Sequence, residues 1–294
     1  MKLDDYRFSD NVGDQRGQSF GGGGGFGGGG LGMILGLVGS KFGIGGILVV
    51  VVLAMLFGFN PLGGGGGSGV VAPTQTATGG SAANAACTVD AASAFSCRVL
   101  ASTEDTWERI FAEQGQQYRP AGFIFYGGTG QSGCGAAQAA MGPFYCPTDN
   151  RIYLDTSFYG ELQNRFGAAG DFAQAYVIAH EVGHHVQFLT GVLEQAREIQ
   201  ASSSAAAGNA HQVKVELQAD CYAGVWAARN RDRLEPGDIQ EGLRAAAAIG
   251  DDTLQKAAQG RVVPESFTHG TSAQRQAALR RGLESGDPAA CRIA

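Results

Sequence analysis

Residues 180–184 read His-Glu-Val-Gly-His, inside the run AHEVGHHV from Ala179 to Val186. On an α-helix, positions i and i+4 share one face. His180 and His184 can then reach one Zn²⁺ at about 2.0–2.1 Å. Glu181 stands off that face, where it can hold a metal-bound water and take its proton. Three of the five histidines (180, 184, 185) fall within six residues. His185 points off the ligand face and reads as structural. The plain alternative is a buried helix with incidental histidines. Either way Ala175, Tyr176, Val177, Ile178, Val182 and Val186 seat this helix in a core.

A catalytic zinc takes three protein ligands and keeps one position open. From Gln187 the chain reads QFLTGVL, so no HExxHxxGxxH continuation exists. The candidate third ligand is Glu216, in VELQAD from Val215 to Asp220. Asp220, four residues on, shares its helical face. It can accept a hydrogen bond from the other nitrogen of a ligand imidazole, as metal-bound histidines require. A solvated acidic face is the competing reading. The flanking Val213, Val215, Leu217, Cys221 and Trp226 oppose it. His211 and His269 are the rival third ligands. Acyl chemistry also needs a donor for the oxyanion. His269, in HGTSAQR from His269 to Arg275, is the catalytic candidate, with Tyr153 and Arg275 as alternatives. Arg275 could instead pair with an acid, and Thr271 or Ser272 could simply cap a helix.

Several elements must position these groups. Ser102 or Thr103 is expected to cap a helix carrying Trp107, Ile110 and Phe111, ended by Pro120. Phe123–Tyr126 and Arg151–Asp155 read as strands. The second strand could accept an extended substrate at a sheet edge, or serve as an ordinary core strand. Asp171 opens the helix that reaches Leu189. Further helices are expected over about 213–230, from Pro236 to about 249, and from Thr271 or Ser272 to about 284. A little sheet followed by mostly helix indicates an α+β fold.

Of 294 residues, 48 are glycine, and the excess is local. Gly21 to Gly30 is glycine except for Phe26, and Gly63 to Gly67 is unbroken. No Asp, Glu, Lys or Arg occurs from Phe42 to Val89. Within that stretch residues 42–59 form an apolar run of 18, enough for a span of about 17–25 residues. The run begins too late for a signal peptide. Lys2, Arg7, Arg16 and Lys41 precede it, and no basic residue follows before Arg98. The expected arrangement is therefore a cytoplasmic, disordered segment 1–41, a single transmembrane helix 42–59, a flexible tether 60–86 and an external domain 87–294. All six cysteines (Cys87, Cys97, Cys134, Cys146, Cys221 and Cys291) follow the apolar run, which agrees with an oxidising compartment. Fifteen pairings are possible. Local pairs 87–97 and 134–146 would leave 221–291, and the absence of any CxxC spacing opposes a thiolate zinc site. The net charge of −6 excludes a general nucleic-acid binder.

The chain resembles the bacterial neutral zinc metallopeptidases, membrane-anchored members of the HExxH zincin group. The resemblance lies in SDNV (9–12), DQRG (14–17), CGAAQAAMGPFYCP (134–147), IYLD (152–155), HEVGHHVQ (180–187), ELQADCYAGVWA (216–227) and FTHGTSAQR (267–275). It implies a zincin-like fold, with a small sheet packed on an active-site helix plus C-terminal helices. It also implies one Zn²⁺ per chain, endopeptidase chemistry, and the disulfides 134–146 and 221–291. The resulting expectation is a single-pass membrane zinc metalloendopeptidase. In it His180, His184 and Glu216 hold the metal and Glu181 activates water. Its substrate is a peptide or protein outside the cytoplasm, and its one span contacts membrane lipid. A catalytically idle zinc scaffold and a hydrolase of cell-wall amides are the alternatives.

Overall fold

Aromatic and β-branched stretches far apart in the chain become neighbouring strands. A computed structural model describes residues 1–18, 81–165 and 167–292. Its strands are Val12–Asp14 (β1), Gly122–Phe125 (β2), Thr129–Ser132 (β3), Gly135–Gln138 (β4), Phe144–Cys146 (β5) and Arg151–Leu154 (β6). Four form a sheet in the order β1-β2-β6-β5. β1, β2 and β6 run parallel, and β5 is antiparallel to β6. Successive side chains alternate between faces. Phe123, Phe125, Ile152 and Leu154 enter the main core, while Ile124, Tyr126 and Tyr153 enter a smaller one with Ala137 and Cys146. The β3–β4 hairpin, tied down by the Cys134–Cys146 disulfide, covers the smaller core.

The helices are Ser81–Cys87 (α1), Ala91–Glu113 (α2), Ser157–Asn164 (α3), Asp171–Leu189 (α4), Val192–Ser202 (α5), Ala205–Arg229 (α6), Asp238–Ala248 (α7), Asp251–Gln259 (α8) and Ser272–Ser285 (α9). The fold is thus α+β, mostly helical with a small sheet. α4 carries the HExxH and packs against β5, α2, α6 and α7. Thr271 caps α9 in a reciprocal capping box with Gln274. The expected cap at Ser102 or Thr103 is corrected, because Asp90 caps α2 by accepting from the Ser93 amide. Thr103 instead lies in the helix interior and donates back to the Leu100 carbonyl, the local bond by which such hydroxyls are tolerated there. α6 and α9 cross backbone to backbone. A Cβ added at Gly282 would lie 1.9 Å from the Cys221 carbonyl oxygen, and one at Gly224 would lie 2.2 Å from that of Leu279.

The largest departure from expectation is the N-terminal segment. Its described part, residues 1–18, is ordered and packed on the domain, and residues 19–41 of the expected segment lie outside the described residues. β1 pairs with β2 in the register Val12↔Phe123 to Asp14↔Phe125. Met1, Leu3 and Val12 are buried in the main core. Glu104 is buried in α2, and its carboxylate accepts from Ser9 Oγ at 2.6 Å, Asn11 Nδ2 at 2.8 Å and Arg7 Nη2 at 3.2 Å. Burial still holds the Glu104 pKa above its usual value. Arg16 clasps Asp14 and donates to Ser93 Oγ and to the Ala86 carbonyl, its guanidinium lying 4.7 Å from the Phe125 ring centre. SDNV and DQRG are therefore packing motifs.

This pairing corrects the single-pass arrangement. One crossing between residues 18 and 81 would leave β1 and β2 on opposite sides of about 30 Å of hydrocarbon, yet they are hydrogen-bonded neighbours. The expected span 42–59 and most of the tether lie outside the described residues. Among the described residues no helix is long and apolar enough to cross a membrane. The expected tether also runs too far, because residues 81–86 belong to α1, whose last residue Cys87 is disulfide-bonded to Cys97.

Leu3 is 1% exposed. Leu3→Ala is expected to lower stability by about 2–5 kcal/mol, read by urea or thermal unfolding. An unchanged unfolding midpoint would return residues 1–18 to the status of a loose tail.

Candidate metal centre

Two helices build the centre, and they come close together at Gly183. A Cβ there would lie 2.9 Å from the Ala219 carbonyl oxygen and 3.0 Å from its Cα. With hydrogen in that place, α4 and α6 run close enough for the side chains one turn away to meet. His180, His184 and Glu216 each present a ligand atom, and these atoms all lie within 4.8 Å of one another. His180 Nε2 is 3.3 Å from Glu216 Oε2, and His184 Nε2 is 3.6 Å from Glu216 Oε1.

The partners of the outer nitrogens define what the inner ones can do. His180 Nδ1 lies 2.8 Å from Asp220 Oδ1. His184 Nδ1 lies 2.8 Å from Gln187 Oε1. The Gln187 amide nitrogen donates to the Val215 carbonyl at 2.7 Å, which fixes the amide's orientation. Carboxylate and amide oxygens accept, so both Nδ1 atoms carry the proton. Both Nε2 lone pairs then face the Glu216 carboxylate. That arrangement requires positive charge between them, either a proton or a metal ion. Two imidazoles and one carboxylate are also the ligand types of a catalytic zinc. The residues fit the metal.

The electrostatics agree. Burial opposes an imidazolium at His180, but Asp220 and Glu216 outweigh it and raise its pKa to about 10 in the metal-free protein. Burial opposes the charged carboxylate of Glu216, but His184 and His269 draw its pKa well below the usual range. Asp220 is fully buried. Burial would raise its pKa, but Arg275 and His180 hold it at about 2. Arg275 donates to both Asp220 oxygens, Nε to Oδ2 and Nη2 to Oδ1, each at 2.8 Å. Tyr176 donates to Asp220 Oδ1 at 2.6 Å.

His180, His184 and Glu216 thus come together as the spacing predicts, with Asp220 behind His180 and Glu181 the next residue along α4. Glu181 is buried on α4 and makes no hydrogen bond or ion pair among the described residues. His269 stands near enough for its charge and that of Glu216 to interact. The carboxylate of Asp251 accepts from the backbone amides of Thr268, His269 and Gly270 and so fixes the loop. Burial lowers the His269 pKa, but Glu216 and Asp251 raise it on balance. Neither His211 nor His269 belongs to the three-residue cluster. Tyr153 turns away and donates to Asp149 at 2.6 Å. His185 donates from Nε2 to the Arg119 carbonyl at 2.6 Å, and its Nδ1 lies 3.0 Å from the Tyr145 hydroxyl, a structural role. The six cysteines form the pairs 87–97, 134–146 and 221–291.

Sequence reasoning passed over Tyr176, Gln187 and Asp251. Tyr176 lies four residues before His180 and Gln187 three after His184, so helical spacing held a signal for both. Asp251 meets its partners 17 to 19 residues away across a loop, and no local pattern marks it. The expected substrate edge is also displaced. β6 is an inner strand, and the sheet edge beside α4 is β5.

Residues 1–293 match the family described as "Putative neutral zinc metallopeptidase". The uncharacterized protein YpfJ of Escherichia coli (strain K12) is 46% identical over 297 residues, covering 99% of this chain and 98% of its own. The uncharacterized protein Rv2575 of Mycobacterium tuberculosis (strain H37Rv) is 44% identical over 211 residues, covering 66% of this chain and 69% of its own. No solved structure matches the chain.

Arg275→Met would leave the buried Asp220 carboxylate without its main counter-charge. It is expected to cost about 3–5 kcal/mol, measured by urea unfolding of the metal-free protein. A loss under about 1 kcal/mol, the scale of a surface pair, would show that the pair does not hold the centre together.

Proposed function

The chain belongs to the neutral zinc metallopeptidase family, and from that premise we propose that it is a zinc-dependent endopeptidase acting on peptide or protein substrates. The observation that carries this reading is the convergence of His180, His184 and Glu216, with Glu181 following His180 in the HExxH. These three would hold one Zn²⁺ per chain. When bound, zinc supplies Lewis-acid polarisation of a carbonyl and activation of a water molecule. The Glu181 carboxylate takes a proton from the attacking water and returns it to the leaving amine. Asp220 and Gln187 keep the two imidazole Nδ1 atoms protonated. His269, its Nδ1 turned to Asp251 and Thr268, is the donor we assign to the developing oxyanion.

The edge strand β5 gives an extended substrate a place to add its backbone hydrogen bonds. Tyr145 on β5 is joined to α4 through His185, which keeps that edge beside the metal ligands. A sheet in this position supports the zincin-like reading of the fold. The three disulfides support a compartment outside the cytoplasm.

The test is digestion of a mixed peptide library by the zinc-loaded full chain. Chelator-sensitive cleavage is expected. Glu181→Gln should lower the rate by about 10²–10⁴ while retaining zinc. Undiminished cleavage by that variant would remove Glu181 as the base. Activity on muropeptides alone would move the substrate to cell-wall amides. In the same assay, His269→Ala is expected to lower kcat by about 10²–10³ with KM little changed. A change confined to KM would make His269 a binding residue instead.

A further inference from the structure

The hydrogen bond that orients His184 does not end at Gln187. Gln187 is fully buried, and its amide nitrogen has a second acceptor in Gln218 Oε1 at 3.0 Å. Gln218 in turn donates to the backbone carbonyl of Cys291 at 3.0 Å. A backbone carbonyl only accepts, so the Gln218 amide has one orientation. With Val215 also accepting, Gln187 has one orientation as well. The run of donors and acceptors from Cys291 to His184 Nδ1 therefore points a single way. Cys291 lies in the 3₁₀ turn Pro288–Cys291 and is bonded to Cys221 on α6, five residues after Glu216. Both sulfurs are buried.

We propose that Gln187 and Gln218 are positioning residues for metal binding. Through them the Cys221–Cys291 bridge, by holding the Cys291 carbonyl, steadies the Gln187 oxygen that sets the tautomer and aim of His184. The inference rests on the reading of His184 as a zinc ligand. It adds that the C-terminal turn, over 100 residues from His184 in sequence, is part of the metal centre. An aliphatic side chain at Gln187 would fill the same space but leave His184 Nδ1 free to lose its proton to Nε2, the atom that must offer its lone pair; one at Gln218 would leave one Gln187 N–H without its acceptor and loosen the amide that faces His184. Partners of this kind typically change metal affinity 10–100-fold.

The test measures zinc affinity of the full chain by competition with a chromogenic chelator, together with the His184 Nδ1–H proton signal by NMR. Gln187→Met, Gln218→Met and the double variant Cys221→Ser/Cys291→Ser should each weaken zinc binding about 10–100-fold. Gln187→Met should also lose the exchange-protected Nδ1–H signal, and the other two should shorten its exchange lifetime. Gln255→Met is the control. Gln255 is a comparably buried amide outside this relay, bonded to Ser266 and Val263. It should lower stability and leave zinc affinity unchanged. Wild-type affinity with an intact Nδ1–H signal in Gln218→Met would overturn the proposal. So would an equal loss of affinity in Gln255→Met. Should the relay variants not fold, the wild-type spectrum decides, because an unprotected His184 Nδ1–H contradicts the relay. A wild-type chain that binds no zinc would overturn the metal reading itself, and this inference with it.

Discussion

The distance between α4 and α6 at Gly183 governs the molecule. Helices usually pack with axes about 8–10 Å apart, set by the side chains between them. Here one position has no side chain, and the facing residue is Ala219. The imidazoles of His180 and His184 sit one residue type away from failure, since each is placed by a rigid helix and has little freedom to compensate. Glu216 and Asp220 flank Ala219 on the other helix. Close approach therefore brings a carboxylate to the inner side of the imidazoles and another to the outer side of His180. The glycine pair Gly224 and Gly282 repeats the device on the far side of α6, where it draws α9 in and delivers Arg275 to Asp220.

Such closeness makes charge the next constraint. Asp220 is inaccessible to water, and a buried carboxylate is tolerated only when paired and hydrogen-bonded. Its two oxygens are taken by Arg275, Tyr176 and His180. The network joins α4, α6 and α9 at one atom group, so each helix is held by the others' electrostatics as well as by apolar packing. The sheet contributes at a distance. Its edge strand β5 meets α4, the helix that carries the two histidines, through Tyr145 and His185.

The centre was legible in the sequence because its geometry is local. HExxH and ExxxD each describe one helical face, and two such faces with complementary chemistry have few ways to meet. Helices bounded by clear signals, such as Thr271 with Gln274, were legible for the same reason. What escaped was whatever depends on distant partners. The polar start of the chain lacks any helical or strand period, so it reads as solvated. Its Ser9, Asn11 and Arg7 are in fact the satisfaction of a single buried carboxylate, Glu104, more than 90 residues on. Ser102 and Thr103 look like caps because hydroxyls near acidic residues do so in a linear reading. Only the packed helix shows that Trp226 donates to Ser102 and that Thr103 turns back on its own backbone. The apolar run 42–59 gave a strong local signal about topology, and the long-range pairing of β1 overruled the single crossing drawn from it.

The parallel pairing of β1 with β2 bears on how the chain is born. A strand made among the first residues must wait for a partner that begins at Gly122. At about 5–20 residues per second, a ribosome needs roughly 5–20 s to supply it. Loop closure over such a separation is entropically costly and is met only late in folding. During that interval Leu3 and Val12 have no core to enter, and the edge of β2 lacks its cover once it forms. Among the pairings of this sheet, β1 with β2 spans the greatest sequence separation and so carries the largest loop-closure cost.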